Sequence, residues 1–299
     1  MTLAIKPLHP LFAAELRGVD LGRDIDLAME QAIEQAMDRY AVCVLPEQNL
    51  DDDRQIAFSR RYGPLENASA VKAQRKAGVI GTRIRHPEIF DVSNLDENGA
   101  MLPGDDERWR YRLANELWHS DSSFRQRAST WSLLHARIVP PTGGETYFAD
   151  TRAAYDALPA TMIAKLEDLV AEHSIWHSRG QRGGYVPSNE ERAARPPAQH
   201  PLVRRHPGSG RMALFIASHA SHIVGWPREE GRALLDELME FATQPRFVYV
   251  HTWRVGDLVI WDNRCTMHRA SPFASNEHKR ELHRTTIIDT RGDLAAGLH

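Results

Sequence analysis

The second half of the chain contains short apolar segments that are rich in β-branched and aromatic residues. MALFIASH, RFVYVHTW, DLVIWDN and RTTIIDT begin at residues 212, 246, 257 and 284, and turn-forming sequences such as HPGSGR separate them. Their composition and length are typical of strands. Many short strands around a few helices predict a mainly β protein with helices (α+β), built as an antiparallel barrel or jelly roll.

Helical and strand patterns alternate through the rest of the chain. Met29, Ile33, Met37 and Tyr40 recur at helical spacing, which predicts an amphipathic helix over 26–40. WSLLHARIVPPTGGETYFAD predicts a strand, a turn and a strand, and Asp150 or Thr151 then caps a helix. The other predicted elements are a buried strand at 41–45, a helix at 51–63, a strand at 89–95 and a helix at about 228–243.

Two segments are polar and have little regular pattern. Residues 66–112 contain many glycines and charged residues, and residues 179–199 are rich in Gly, Pro and Arg. Long loops in compact enzymes are commonly binding loops or lids. We expect both segments to be active-site loops or lids, with a solvated surface loop as the alternative for 66–112.

Length and composition fit a single soluble domain over residues 1–299. The net charge is only -3 and the basic residues are scattered, so no surface for nucleic acid stands out, although a small anionic substrate is compatible. No apolar run approaches the roughly 18 residues of a membrane span. Cys43 and Cys265 lie in strand-like surroundings. Buried reduced thiols suit a cytoplasmic protein.

The segment ELWHSDSSF, residues 116–124, places His119 and Asp121 two positions apart. Residues two apart in an extended chain share a face, so both side chains can reach one point. In a chain with 15 histidines this pair alone could equally be a polar turn. His268, however, follows the apolar strand in DLVIWDNRCTMHRASPF. Two imidazoles and one carboxylate form the facial triad of non-haem Fe(II) oxygenases, with three positions left open.

The single carboxylate balances only part of the charge of such a metal, so a second, anionic ligand would be favourable. If that ligand is a bidentate oxo-acid, its far carboxylate needs a cation. Arg280 follows His268 by 12 residues, in HKRELHRTTI. Its planar guanidinium can hold a carboxylate by two parallel hydrogen bonds.

An ordered set of motifs resembles one enzyme family. LWHSDSSF, VPPTGGETYFADTRAAYDALP, HPGSGR and GDLVIWDNRCTMHR followed by RELHRTT resemble the 2-oxoglutarate-dependent dioxygenases of the taurine dioxygenase group. The resemblance starts at HPLFAAELRGVDL and extends over almost the whole chain. Within the group it is strongest to the members that degrade the herbicide 2,4-dichlorophenoxyacetate. It implies a double-stranded β-helix (jelly-roll) core with flanking helices and long active-site loops.

The resemblance also implies roles for individual residues. His119, Asp121 and His268 would hold Fe(II), and Thr146 and Arg280 would bind the distal carboxylate of 2-oxoglutarate. The positions that would face the primary substrate are Arg284, Asn115 and Lys72. The segment after His268 is one residue longer than in the most similar relatives, although the spacing between the two arginines is kept.

The reaction implied is hydroxylation driven by 2-oxoglutarate and O2, with ascorbate as a stimulant. For an aryloxyacetate, the hydroxylated carbon lies between the ether oxygen and the carboxylate, and the resulting hemiacetal collapses to a phenol and glyoxylate. Succinate and CO2 are the products of the co-substrate. The family also suggests a homo-oligomer.

Other functions remain open from the sequence. An alkylsulfonate or alkylsulfate dioxygenase is the alternative within the class, because Arg284 could hold a sulfonate. A catalytically silent jelly-roll protein that binds small acids is the alternative from another class, and the intact ligand set argues against it. Nothing in the sequence marks a general base beside the metal, which makes a zinc hydrolase a weaker hypothesis.

Overall fold

The computed structural model describes residues 2–67, 83–104, 106, 113–182 and 184–290, and these ranges contain both strands and helices. In chain order the strands are β1 (Ala4–Pro7), β2 (Ala14–Arg17), β3 (Val42–Leu45), β4 (Phe90–Ser93), β5 (Ser129–Ile138), β6 (Thr146–Asp150), β7 (Val170–His173), β8 (Ala198–Pro201), β9 (Val203–Arg205), β10 (Met212–Leu214), β11 (Ala220–Ile223), β12 (Val248–His251), β13 (Leu258–Asp262), β14 (Thr266–Ala270) and β15 (Glu281–Ile288).

Within the described ranges, these strands form four sheets. The largest sheet has the order β1-β2-β3-β13-β5-β15-β4, and the sheet that packs against it has the order β12-β6-β14; these are the two principal sheets. The other two sheets have the orders β11-β7-β8 and β10-β9. The pairs within both principal sheets are antiparallel apart from β2 with β3. The predicted jelly-roll core is therefore confirmed.

The large sheet divides the core into two parts, because the side chains on both faces of its central strands are buried. On β13, Leu258 and Ile260 pack with the N-terminal helices, whereas Val259 and Trp261 point into the space between the two principal sheets. Phe148 of β6 meets Trp261 there, with ring centroids 5.6 Å apart. The alternation follows the two-residue period of a strand. An apolar seam therefore joins the sheets.

The helices pack outside this core. Asp26 caps α1 by accepting a hydrogen bond from the Met29 backbone N–H, and the buried face of α1 carries Met29, Ile33, Ala36 and Met37. Within the described residues, every helix is too short or too polar to cross a lipid bilayer. The helices are α1 (Leu27–Tyr40), α2 (Asp52–Arg60), α3 (Thr151–Asp156), α4 (Ala160–Leu166), α5 (Ile175–Gln181), α6 (Asn189–Ala194) and α7 (Arg228–Ala242), with 3-10 turns at Leu113–Glu116 and Pro245–Phe247.

Most predicted elements are present, with two differences in detail. Residues 131–150 give two strands, β5 and β6, but these belong to different sheets, so the segment between them crosses from one sheet to the other. The segment MALFIASH is a strand only as far as Leu214, and His219 lies in a turn before β11. Asp150 is the N-cap of α3, since its side chain accepts from Arg152 and Ala153 N–H groups.

The two predicted loops have different outcomes. The described parts of 66–112 are largely irregular but contain β4, as the pattern at 89–95 predicts. The 179–199 segment is not a continuous loop, because it begins inside α5 and contains α6. Ser188 and Glu191 form a capping box that starts α6. The S-x-x-E spacing of these two residues could have predicted the helix, but the polar composition of the segment favoured a loop.

Candidate metal centre and active-site cavity

His119, Asp121 and His268 meet at one end of the space between the sheets. His268 lies on β14, and His119 pairs with it as an isolated antiparallel bridge. The His119 N–H donates to the His268 carbonyl at 2.9 Å, and the His268 N–H donates to the His119 carbonyl at 2.7 Å. The backbone therefore fixes the two imidazoles side by side, with ring centroids 4.1 Å apart.

The ligand atoms of these three residues lie within 4.8 Å of one another. All three residues are buried, and His268 Nε2 lies 3.9 Å from Asp121 Oδ2. His119 Nδ1 is 2.8 Å from the Leu117 carbonyl. Since a carbonyl only accepts, Nδ1 carries the proton and the Nε2 lone pair of His119 is available for a metal.

The protonation states also fit a divalent metal. Burial lowers the pKa of His119 and, more strongly, that of His268, so both imidazoles are neutral near pH 7. Burial alone would raise the pKa of Asp121, but its neighbours, the Arg284 guanidinium above all, hold that pKa well below its usual range. Neutral imidazoles and an ionised carboxylate are the forms that coordinate metals. The donor set therefore fits Fe(II) and related ions.

A cavity of about 430 Å³ opens above the three ligands. This volume lies within the range of small-molecule sites, roughly 300–1,000 Å³. It is lined by all seven predicted site residues that the structure describes, namely Asn115, His119, Asp121, Thr146, His268, Arg280 and Arg284. Lys72, the eighth predicted residue, lies outside the described residues. The described predictions therefore converge on one cavity.

Arg280 and Thr146 lie in the buried part of this cavity. Arg280 is 7% exposed, and its Nη2 donates to the Gly144 carbonyl at 3.3 Å. Asn94 holds the Arg280 backbone on both sides, because its N–H donates to the Arg280 carbonyl and its Oδ1 accepts from the Arg280 N–H. Thr146 Oγ1 accepts from the Trp253 indole at 3.0 Å. A cation and a hydroxyl therefore line the same pocket.

Arg284 lies closer to the metal ligands than its predicted role requires. Its Nη1 donates to Asp121 Oδ1 at 2.5 Å, and its guanidinium carbon lies 4.9 Å from the centre of the Phe90 ring. Asn115 lies in the 3-10 turn at Leu113–Glu116, and its Oδ1 is 3.4 Å from Nη1 of Arg179. Arg179 was not predicted as a site residue, because it lies in a segment predicted as a polar loop.

Aromatic and aliphatic side chains form the rest of the cavity wall. Phe90, Phe124, Ile175 and Trp261 line it. Trp261 also packs on His268, with ring centroids 4.7 Å apart. The wall can therefore receive an apolar body while cations hold an acidic end.

A second group of possible ligands lies outside this cavity. His206, Asp262 and Cys265 are buried with their ligand atoms within 4.8 Å. The Asp262 carboxylate already accepts from the Trp131 indole, the Arg264 guanidinium and His206 Nε2. With its lone pairs taken and a cation against it, the group is a buried ion-pair network and does not fit a metal site.

The polar residues beneath Asp121 were not predicted from the sequence. Ser132 Oγ donates to Asp121 Oδ2 at 2.7 Å, and the Asn263 side chain bonds to both Ser132 and the Asp121 backbone. Ser132 is one of several strand serines in the sequence, so its type gave no signal. Asn263 lies in the DLVIWDNRCTMHR motif, in which only His268 is a predicted site residue.

The sequence matches a family profile over residues 4–286, described as the taurine catabolism dioxygenase TauD, TfdA family. The chain is 47% identical over 289 residues to the alpha-ketoglutarate-dependent 2,4-dichlorophenoxyacetate dioxygenase of Cupriavidus pinatubonensis (strain JMP 134 / LMG 1197), covering 97% of this chain and 99% of that protein. It is 45% identical over 295 residues to the enzyme of the same name from Burkholderia sp. (strain RASC), covering 99% and 97%.

A solved structure supports the same relationship. The crystal structure of AAD-2 in complex with Mn(II) and N-oxalylglycine superposes with a TM-score of 0.88. It is 42% identical in sequence, and the match covers 97% of this chain and 98% of AAD-2.

Proposed function

Since this chain belongs to the taurine catabolism dioxygenase TauD, TfdA family, we propose that it uses Fe(II), 2-oxoglutarate and O2 to hydroxylate an aryloxyacetate such as 2,4-dichlorophenoxyacetate. The chain is a 2-oxoglutarate-dependent dioxygenase that requires a metal. The identity of the metal as Fe(II), the stimulation by ascorbate and the individual residue roles are part of the proposal.

One observation carries the proposal. His119, Asp121 and His268 converge beneath a cavity that Arg280 and Arg284 also line. Two neutral imidazoles and one carboxylate are the protein donors typical of non-haem Fe(II) oxygenases, in which further ligands can join the metal. Two arginines then match the two acids, the co-substrate and the primary substrate, which each bring a carboxylate.

The metal, when bound, would supply the site at which 2-oxoglutarate is oxidatively decarboxylated and the substrate C–H bond is hydroxylated. His119, Asp121 and His268 would hold it. These residues would provide a rigid binding geometry, since the backbones of His119 and His268 are hydrogen-bonded to each other. The cavity walls, including Trp261 beside His268, restrict access of water to this point.

Arg280 and Thr146 would bind the distal carboxylate of 2-oxoglutarate. Arg280 is buried and its backbone is fixed by Asn94, so little conformational entropy is lost when it takes up an anion. A guanidinium can offer two parallel N–H donors to a carboxylate, and the Thr146 hydroxyl can add a third. This binding orients the oxo-acid end toward the metal ligands.

Arg284 would attract the carboxylate of the primary substrate, with Asn115 near it and Lys72 as a further expected contact. Arg284 lines the cavity while it touches Asp121, so a carboxylate that it holds lies close to the metal ligands. Phe90 and Phe124 line the cavity and can enclose an aromatic ring. Positioning of the reacting carbon is therefore the main contribution of this region.

The proposed reaction balances as follows. One oxygen atom of O2 enters the succinate formed when 2-oxoglutarate loses CO2, and the other becomes the new hydroxyl. That hydroxyl is placed on the carbon between the ether oxygen and the carboxylate. The hemiacetal then breaks its carbon–ether bond, and the phenol and glyoxylate leave as separate products.

An alkylsulfonate or alkylsulfate dioxygenase is the second candidate, because Arg284 could hold a sulfonate as well as a carboxylate. A silent acid-binding protein is disfavoured by the intact ligand set. We also propose a homo-oligomeric assembly and a cytoplasmic location. Two buried free cysteines are compatible with that location.

The decisive experiment compares two substrates. The enzyme is loaded anaerobically with Fe(II) and mixed with 2-oxoglutarate, ascorbate and air, with 2,4-dichlorophenoxyacetate in one tube and taurine in another. Succinate matched one-to-one by released phenol is the expected result. Succinate that depends on taurine instead would move the substrate to sulfonates, and no coupled product with either acid would overturn both substrate assignments.

A further inference from the structure

We propose that Ser132, held in place by Asn263, is a positioning residue that fixes the carboxylate of Asp121 for metal binding. The inference rests on the proposed function, because it assigns Asp121 as a metal ligand. Ser132 lies on β5 and Asn263 follows β13, so neither belongs to the segment that carries Asp121. Both are buried, with exposed fractions of 0% and 1%.

The direction of the hydrogen bonds around Ser132 is determined by its partners. Asn263 Nδ2 can only donate, and it lies 3.0 Å from Ser132 Oγ. The ionised Asp121 carboxylate can only accept, and its Oδ2 lies 2.7 Å from the same hydroxyl. Ser132 must therefore direct its single proton at Asp121. The remaining contact, Thr286 Oγ1 at 3.3 Å, can then only donate to Ser132.

The orientation of the Asn263 amide is itself fixed. Its Oδ1 accepts from the Asp121 backbone N–H at 3.0 Å and from the Trp261 indole at 3.0 Å. Its backbone carbonyl accepts from Ser120 Oγ at 2.6 Å. Because the oxygen faces two donors, the amide nitrogen has to face Ser132. One side chain therefore holds both the backbone of Asp121 and, through Ser132, its carboxylate.

This arrangement opposes the pull of Arg284. Arg284 Nη1 holds Asp121 Oδ1 at 2.5 Å from the cavity side, and the Ser132 hydroxyl holds Oδ2 from the core side. With both oxygens tethered, the carboxylate plane cannot rotate freely. Without the hydroxyl, rotation toward the guanidinium would compete with metal binding. Groups that orient metal ligands in this way typically contribute about 10–100-fold to metal affinity.

The chain offers a matched control on the same strand. Ser129 is also fully buried on β5, and its Oγ donates to Asp121 at 2.8 Å. Its acceptor, however, is the backbone carbonyl of Asp121 and not the carboxylate. Ser129→Ala and Ser132→Ala therefore each remove one hydroxyl from β5. In both cases the lost hydroxyl donates to Asp121. Only Ser132→Ala removes a hydrogen bond from the Asp121 carboxylate.

The test is a titration of metal-free full-length protein with Mn(II), in which free Mn(II) is followed by electron paramagnetic resonance. We expect Ser132→Ala to weaken Mn(II) binding by about 10–100-fold, Ser129→Ala to change it by less than about threefold, and Ser132→Thr, which keeps the hydroxyl, to restore most of the affinity. Thermal unfolding of each metal-free variant identifies any that fail to fold.

The outcomes separate this inference from the proposed function. If the wild-type protein binds Mn(II) and Ser132→Ala binds it equally well, or if both alanine variants lose the same affinity, the positioning role is overturned. If the folded wild-type protein binds no Mn(II), the proposed metal centre itself is wrong. Should Ser132→Thr be too crowded to fold, the comparison of the two alanine variants still decides.

Discussion

Gly144 lies directly against the side chain of Arg280. A Cβ at position 144 would be 3.3 Å from Nε of Arg280, and the Gly144 carbonyl accepts a hydrogen bond from Nη2 of that arginine. Gly144 has a φ of +74°, a conformation that L side chains rarely adopt. The turn between β5 and β6 therefore shapes the space in which the Arg280 guanidinium lies.

Gly144→Ala should impair 2-oxoglutarate binding more than it impairs folding. The methyl group crowds Arg280 and should displace its guanidinium. We expect the binding free energy of 2-oxoglutarate to fall by about 1.4 kcal/mol, which raises KM by about tenfold. The positive φ should cost about 1 kcal/mol of stability. Gly99→Ala is the control, because Gly99 has a φ of +75° and a Cβ there would meet nothing within 4 Å. Equal changes in KM for both variants would contradict the role of Gly144.

Arg280→Ala should raise the 2-oxoglutarate requirement far more than Arg284→Ala does. Each hydrogen bond to a charged group contributes about 1.5–3 kcal/mol, so losing a bidentate pair should raise KM by about 100-fold or more. Arg284→Ala should mainly raise KM for the aryloxyacetate. Steady-state kinetics with each substrate varied in turn measures both effects, and similar changes for both substrates in both variants would refute this division.

His119→Ala should abolish iron-dependent turnover and remove the stabilisation by metal. Wild-type protein at a Mn(II) concentration about 100 times Kd should gain about 2.7 kcal/mol of stability, because the metal binds only the folded state. The variant should unfold at the same temperature with and without Mn(II). His222→Ala is a suitable control, since His222 is partly buried but does not line the cavity. A retained Mn(II) shift in His119→Ala would exclude His119 as a ligand.

The His206–Asp262 pair should make stability fall as pH rises above neutrality. Burial alone would lower the pKa of His206, but Cys265 and Asp262 beside it raise that pKa to about 10 from an ordinary value of 6.5. Arg264 also contacts Asp262, and Asp38 lies near enough to act on His206 by its charge. Because the folded pKa exceeds the unfolded one, the contribution is complete below pH 6.5 and is lost as pH rises toward 10.

His206→Gln tests this pH dependence. The free energy of unfolding of the variant should be lower than that of the wild type by about 3 kcal/mol at pH 6.5. This is the lower limit for breaking a buried ion pair, and we expect it because Arg264 still binds Asp262. Urea unfolding at several pH values should show the difference from wild type shrinking toward pH 10. A difference that stays constant over this range would argue against a charged His206.

The sequence predicted which residues converge at the candidate metal centre better than it predicted their surroundings. His119, Asp121 and His268 are distinctive because metal ligands come from few residue types at restricted spacings. Arg280 lies 12 residues after His268, and its predicted place near that histidine agrees with its position in the same cavity. The contact of Arg284 with Asp121 could not be predicted, because it depends on the register of β15 against β5.

The missed features share one physical cause. Ser132 matters only because strand pairing places its hydroxyl under a carboxylate from another segment, and strand pairing is a long-range property. In the same way, β5 and β6 were each predictable from alternation and turns, whereas their division between two sheets was not. By contrast, α6 had a local signal in Ser188 and Glu191, which polar composition masked.

The backbone pairing of His119 with His268 also determines when the group of His119, Asp121 and His268 becomes complete. His119 and Asp121 leave the ribosome long before His268, because they lie far upstream of it in the chain. A growing chain therefore carries two of the three side chains without the third, and β14 must pair with His119 before the group is assembled. Any metal that binds all three side chains must therefore bind after β14 has formed.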